Sequence, residues 1–131
     1  MKKDITIPEV KDLYVAIVKE YNETYKVYDW NVYIINDKSV DLEMVIIVTK
    51  GYSEDKKTAT LRKKIEALPA KNFAKIELIL EDVLSINNLF NVSFFENNKL
   101  FEKSFEFKKN TINENALQKI PLIDSKGVLC S

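Results

Sequence analysis

The sequence predicts an all-β fold: two packed antiparallel sheets holding about seven strands, in a chain of 131 residues that fits one domain. Three observations carry this prediction. Phe90 to Phe107 reads FNVSFFENNKLFEKSFEF, two apolar-alternating runs either side of Asn97-Asn98. That dipeptide accepts the positive φ angles of a tight hairpin turn. Further short apolar runs recur along the chain at the spacing of a sandwich or barrel. No long helical segments alternate with them, which disfavours a parallel α/β sheet.

The hairpin has a definite register. Pairing Glu96 with Lys99 sets Phe94 opposite Phe101, Val92 opposite Lys103 and Phe90 opposite Phe105. Side chains alternate along a strand, so Phe90, Val92, Phe94, Phe101, Phe105 and Phe107 share one face. A turn one residue longer or shorter would scatter them over both faces. Lys103 falls among these rings. Either its stem lies along them with the ammonium in water, or it marks the rim of the sheet.

The other elements follow in order. Leu13 to Val18 (LYVAIV) is a short apolar run with β-branched residues, suited to a strand covered on both faces. Tyr21, Tyr25 and Tyr28 lie in a polar stretch that reads as a loop. Trp30 to Ile35 places Trp30, Val32 and Ile34 on one face, and Asn36 to Ser39 supplies turn chemistry. Leu42 to Thr49 sets Leu42, Met44, Ile46 and Val48 on one side and Val45 and Ile47 on the other. Lys56 to Leu68 reads two ways. As a helix it would be capped by Ser53, striped by Leu61, Ile65 and Leu68, and stopped by Pro69. As a strand, Ala59, Leu61, Ile65 and Ala67 line one face; the strand is preferred because every clear neighbour is one. Phe73 to Leu80 is a strand with Ala74, Ile76, Leu78 and Leu80 inward, and Val83 to Leu89 a connection. Thr111 and Glu114 resemble a capping box that opens a short helix over Asn115 to Ile120, before Pro121.

Composition narrows the chemistry. A 46% hydrophobic, 31% charged chain of this length can bury roughly two-thirds of its unfolded surface without disulfides or metal. Twenty basic residues offset twenty acidic ones, and Arg62 is the sole arginine. A basic stripe and the side chain best suited to bidentate phosphate contact are both missing, which disfavours nucleic acid. There is no histidine, so histidine triads and two-histidine metal sites are excluded. Two glycines, Gly51 and Gly127, cannot build a glycine-rich phosphate loop. Cys130 alone forms no intrachain disulfide. MKKDITIPEVKD lacks the apolar segment of a secretory signal, and Met44 to Val48 is too short to span a bilayer. A soluble, cytoplasmic protein without membrane contact is expected.

Several residue groups are candidate sites. Asp37, Asp41 and Glu43, and Glu81 with Asp82, could supply paired carboxylates, but turn chemistry and solvated strand ends account for them. Lys38 stands where a calcium loop at Asp37 would want an oxygen ligand. Tyr21, Tyr25, Tyr28 and Trp30 could stack on bases, sugars or a partner; the plainer reading lays these rings over one end of the core. Lys56, Lys57, Arg62, Lys63 and Lys64 form the densest basic cluster, diluted by Glu54, Asp55 and Glu66 into a solvated face. The triplets at Asn22 and Asn91 match a glycosylation pattern, but such matches arise by chance and no secretory signal accompanies them. Cys130 has no histidine partner and reads as an incidental thiol. No catalytic, metal or cofactor residue is assigned.

The segments WNVYIIND, DLEMVIIVTKGY, LPAKNFAKIE and NNLFNVSFFENNKLFEKSFEFKKNTINE together resemble a family of short, uncharacterised bacterial proteins. The likeness covers most of the chain and carries no catalytic motif. Members sometimes travel under a phenylalanyl-tRNA synthetase subunit label. A synthetase catalytic domain needs a larger antiparallel sheet and an ATP-contacting arginine, and Arg62 sits in no such context. More loosely, the strand order and the Leu68-Pro69 to Lys75-Ile76-Glu77 passage are similar to immunoglobulin-like sandwiches, a likeness of fold alone.

The function expected is a non-enzymatic interaction or structural module that meets a protein partner or itself. Two alternatives stand beside it. One is an accessory subunit or small-ligand-binding domain of an enzyme system; the other is an OB-like single-strand nucleic-acid binder stacking on the tyrosines.

Overall fold

The computed structural model describes residues 10–130. Pro8 and most of the stretch read above for a secretory signal lie outside them. The described residues form nine strands: β1 (Leu13–Asn22), β2 (Val27–Asn36), β3 (Leu42–Tyr52), β4 (Leu61–Leu68), β5 (Asn72–Ile79), β6 (Asn87–Glu96), β7 (Lys99–Phe107), β8 (Gln118–Ile120) and β9 (Ile123–Cys130). They build two antiparallel sheets, one in the order β5-β2-β1-β9-β8 and the other β4-β3-β6-β7. The fold is an all-β sandwich with two more strands than the seven expected.

The β6–β7 hairpin has the predicted register, from Glu96 opposite Lys99 to Phe90 opposite Phe105. Asn97 and Asn98 take φ of 51° and 63°, as a two-residue turn matched to strand twist requires. Phe90, Phe94, Phe105 and Phe107 are buried in the main core, while Phe101 packs against it half-buried. Lys103 fits the second reading of its place, the rim of the sheet. It sits on the edge strand β7, and its ammonium lies 5.0 Å from the Phe105 ring centroid and 3.4 Å from the Val10 carbonyl.

Two bulges reset which side chains face the core. In β3 the pairing with β6 shifts between Glu43 and Ile46, and Met44 adopts a φ of 48°. Leu42 therefore joins Val45, Ile47 and Thr49 inside, and Met44 is exposed, where simple alternation put Leu42 and Met44 together. In β5 the pairing with β2 slips between Val32 and Tyr33. Glu77 then lies opposite the core residue Val32, and Ile79 opposite Trp30. Leu78 and Leu80, predicted inward, are 43% and 64% exposed.

Three further expectations are corrected. Tyr21 and Tyr28 belong to β1 and β2, not to a loop. The 56–68 segment is a strand only from Leu61, and of its predicted inner face Leu61 and Ala67 are exposed and Ile65 half-buried. The C-terminal helix is a three-residue 3-10 turn, Glu114–Ala116, capped by Asn113 through its side-chain oxygen and the Asn115 amide, 2.9 Å apart. Thr111, the expected cap, instead donates its hydroxyl to the Lys108 carbonyl. The chain then continues as β8.

Asn36 locks one end of the sandwich. Its side-chain amide, fully buried, donates to the carbonyls of Val40, Leu68 and Pro69 at 2.9, 3.1 and 3.0 Å. Its oxygen accepts from the Lys38 amide. One residue thus ties the β2–β3 turn to the corner where the chain crosses between sheets from β4 to β5. A second apolar cluster lies on the outer face of the five-stranded sheet, where Ala16, Val18, Ile35 and Ile120 are buried under Tyr14, Tyr33, Ile123 and Leu129. Gly127 permits the close approach of β1 and β9 there. A Cβ at that position would stand 2.6 Å from the Ile17 carbonyl oxygen and 2.9 Å from the Val18 Cα.

Candidate functional site

Two features stand out, a projecting arm and an open cleft. The arm exists because outer pairing to β1 and β2 stops short. β9 pairs with β1 only from Val15 to Val18, and β5 pairs with β2 only from Trp30 to Asn36. Glu20–Asn22 and Val27–Asp29 therefore pair only with each other. The turn between them is held by Asn22, whose oxygen accepts from the Thr24 and Tyr25 amides at 3.0 and 3.2 Å. Its amide donates to Asp29 across the arm at 3.0 Å.

The arm carries the tyrosines outward. Tyr21, Tyr25, Val27 and Tyr28 are 51%, 75%, 49% and 61% exposed. Tyr21 and Tyr28 are register partners whose ring centroids lie 5.2 Å apart, edge to face. Lys19 continues this aromatic face. Its ammonium lies 5.0 Å from the Tyr28 centroid and 5.9 Å from that of Trp30, and it pairs with Glu114. Only Trp30 covers the core end as the plainer reading proposed, being 8% exposed; the three tyrosines do not. Their exposure could not be read from sequence, because it depends on where β5 ends and where the pairing of β9 with β1 stops.

The cleft lies on the open side of the sandwich, between the edge strands β4 and β5. It has a volume of about 250 Å³, with Leu61, Ile79, Leu80, Val83 and Phe90 among its walls. Glu77 is the acidic group in it. Burial pushes the Glu77 carboxyl above the usual carboxylate range, opposed in part by the polar hydroxyl of the buried Thr49 on β3. The β5 bulge creates this arrangement. Regular alternation would bury Leu78, worth roughly 1.5–3 kcal/mol when complete, and leave Glu77 in water. Lys63 reaches over from β4, but its ammonium is held by the backbone carbonyls of Lys75 and Ile76, at 2.9 and 3.4 Å. Among the described residues no cation comes within 4.0 Å of the Glu77 carboxylate. Sequence reasoning missed Glu77 because Ile76 to Leu80 is apolar on both parities around it.

The residues singled out earlier are dispersed. Asp37 pairs with Lys71 at 3.1 Å, and Asp41 accepts from the Ala70 amide at 2.8 Å, so both serve turns. Glu43 lies at the β3 bulge, while Glu81 and Asp82 open the 3-10 turn Glu81–Ser85. Lys56 and Lys57 sit in the loop before β4, Arg62 and Lys64 alternate with Lys63 along it, and Lys64 meets Glu66 at 3.8 Å. Asn91 bonds the Ser104 hydroxyl within the β6–β7 ladder. Cys130 is half-buried with its sulfur 3.6 Å from the Glu106 carbonyl, and burial pushes its thiol up.

On the outer sheet face, Glu20 accepts from the Tyr33 hydroxyl at 2.7 Å and the Asn31 amide at 2.9 Å. Burial and this carboxylate raise the Tyr33 hydroxyl to about 12. No helix among the described residues is long and apolar enough to cross a membrane. Comparison with protein-family models and with curated proteins finds no match.

Proposed function

We propose that the chain is a non-enzymatic interaction module whose contact element is the β1–β2 arm. The observation that carries this reading is the exposure of Tyr21, Tyr25, Val27 and Tyr28 together on one projecting hairpin. Tyrosine supplies large contact area with few rotatable bonds, and a polar tip that tolerates water before binding. The arm is pre-formed by its own ladder and by the Asn22 bonds, so little order is lost on docking.

A protein partner suits the arm better than a nucleic acid. Glu20, Glu23 and Asp29 outnumber Lys19 and Lys26, and Lys19 is already paired with Glu114. A phosphate backbone would meet net negative charge there. The test compares wild type with a Tyr25→Ser/Tyr28→Ser variant, by co-purification from the source cells and by sedimentation across concentrations. Loss of a specific partner or of self-association in a folded variant supports the reading. Unchanged association contradicts it, and salt-dependent oligonucleotide binding lost in the same variant replaces it with the stacking alternative.

A further inference from the structure

We infer that the cleft between β4 and β5 binds a compact apolar primary amine, with Glu77 as its counter-charge. The site is separate from the arm and stands or falls independently of it.

The local rule broken here is strand alternation. The β5 bulge turns Glu77 to the inner face and leaves Leu78 exposed. Bulges re-aim side chains in this way, and they concentrate near binding sites. The chain exposes a leucine in order to set a carboxylate at an apolar opening, and nothing in the sandwich core requires that carboxylate. Thr49 on β3 supplies a hydroxyl that favours the charged form of Glu77. Of the other polar side chains nearby, Thr58, Lys63 and Asn88 are committed elsewhere, the Thr58 hydroxyl to the Gly51 and Ala59 carbonyls at 3.4 and 3.3 Å, while Lys50, also in the lining, is exposed. Lys63 bonds the Lys75 and Ile76 carbonyls, and the Asn88 amide donates to the carbonyls of Val83 and Ile86 at 3.0 and 3.2 Å.

The ligand class follows from these groups. An anion is repelled by the carboxylate. A divalent metal needs six or more oxygen ligands, or several waters held by carboxylates, and one carboxylate with one hydroxyl is too few. An ammonium needs only a counter-charge and hydrogen-bond acceptors. Its carbon chain would lie along Leu61, Leu80 and Phe90, which line the opening. At about 250 Å³ the cleft falls below the roughly 300–1,000 Å³ of drug-sized sites, so the ligand is small. The ammonium could arrive as a free alkylamine or on the lysine side chain of a peptide.

The test is a titration of the full chain at neutral pH with 3-methylbutylammonium, followed residue by residue through amide NMR shifts. N-acetyl-lysine methylamide is the second probe and 3-methylbutanol the uncharged control. The expected result is saturable millimolar binding that perturbs Thr49, Leu61, Glu77 and Leu80, weakened roughly tenfold in Glu77→Gln. Leu80→Lys, which tethers an ammonium at the mouth, is expected to block binding as a second variant. Tighter binding of the lysine probe than of the alkylamine assigns the source to a peptide, and the reverse assigns it to a free amine. Equal binding by wild type and Glu77→Gln, equal binding of the alcohol, or shifts confined to other surfaces would overturn the proposal.

Discussion

Tyr21 and Tyr28 sit directly opposite one another on the arm, ring centroids 5.2 Å apart and planes at 68°. Each would be expected to fold against a neighbouring strand, yet β5 ends at Ile79 and the pairing of β9 with β1 stops at Val18. The pair is stabilised by its own edge-to-face contact and by Lys19 across Tyr28, and stays open to a partner.

The arm should therefore be separable from folding. Tyr25→Ser is expected to change stability by no more than about 0.5 kcal/mol, because the side chain is exposed and away from caps and core. Urea denaturation of the variant checks this, and a large loss would mean that Tyr25 packs against the sandwich.

The core should discriminate between two stacked rings. Phe94 is fully buried and Phe101 half-buried, with centroids 5.5 Å apart and planes 15° from parallel. Phe94→Ala is expected to cost about 3–5 kcal/mol, and Phe101→Ala about 1–2 kcal/mol, since it has less area to lose. Denaturant midpoints of the two variants measure the difference; equal losses would contradict the edge position of β7.

Gly127→Ala should strain the five-stranded sheet. The added methyl meets backbone rather than a flexible side chain, so the two strands must part at a cost of about 1–3 kcal/mol. Faster amide exchange along β1 and β9, with β6 and β7 unchanged, would locate the effect.

Two groups give stability a pH dependence of the same sign. The Tyr33 hydroxyl titrates at about 12 when folded and at 10.0 ordinarily. Its contribution is complete below pH 10 and is lost as pH rises toward 12. Tyr33→Phe should flatten that alkaline loss in thermal melts. The Glu77 carboxyl is also raised by burial, so its stabilising contribution belongs to acid and is lost as pH rises through its folded value. Glu77→Gln should thus be more stable than wild type at neutral pH, with the gap closing in acid.

Much of the sandwich was legible in residues whose alternation admits one answer. Phe90 to Phe107 has one register that gathers its rings, and that register is the one observed. Val15, Ile17, Val32 and Ile34 are likewise buried. The misses lie where the pattern is degenerate. Leu42 to Val48 and Ile76 to Leu80 carry apolar residues on both parities, so the bulges at Met44 and Ile76 still leave apolar residues facing inward and leave no mark in the sequence. Ile123 to Cys130 mixes Asp124, Lys126 and Gly127 with its apolar residues, too weak a stripe to announce β9. Glu77 and the exposed tyrosines were hidden for a further reason: each depends on strands distant in sequence, through pairing slip in one case and the early end of strand pairing in the other.

The central claim, that the β1–β2 arm is the contact element, is tested most directly by a photo-reactive side chain placed at Tyr25, with Leu100 on β7, also exposed, as the apolar control. Irradiated in the source cells, the Tyr25 probe is expected to give a discrete adduct that disappears with Tyr28→Ser and is not formed from Leu100. No adduct from Tyr25, or the same adducts from both positions, would contradict the account.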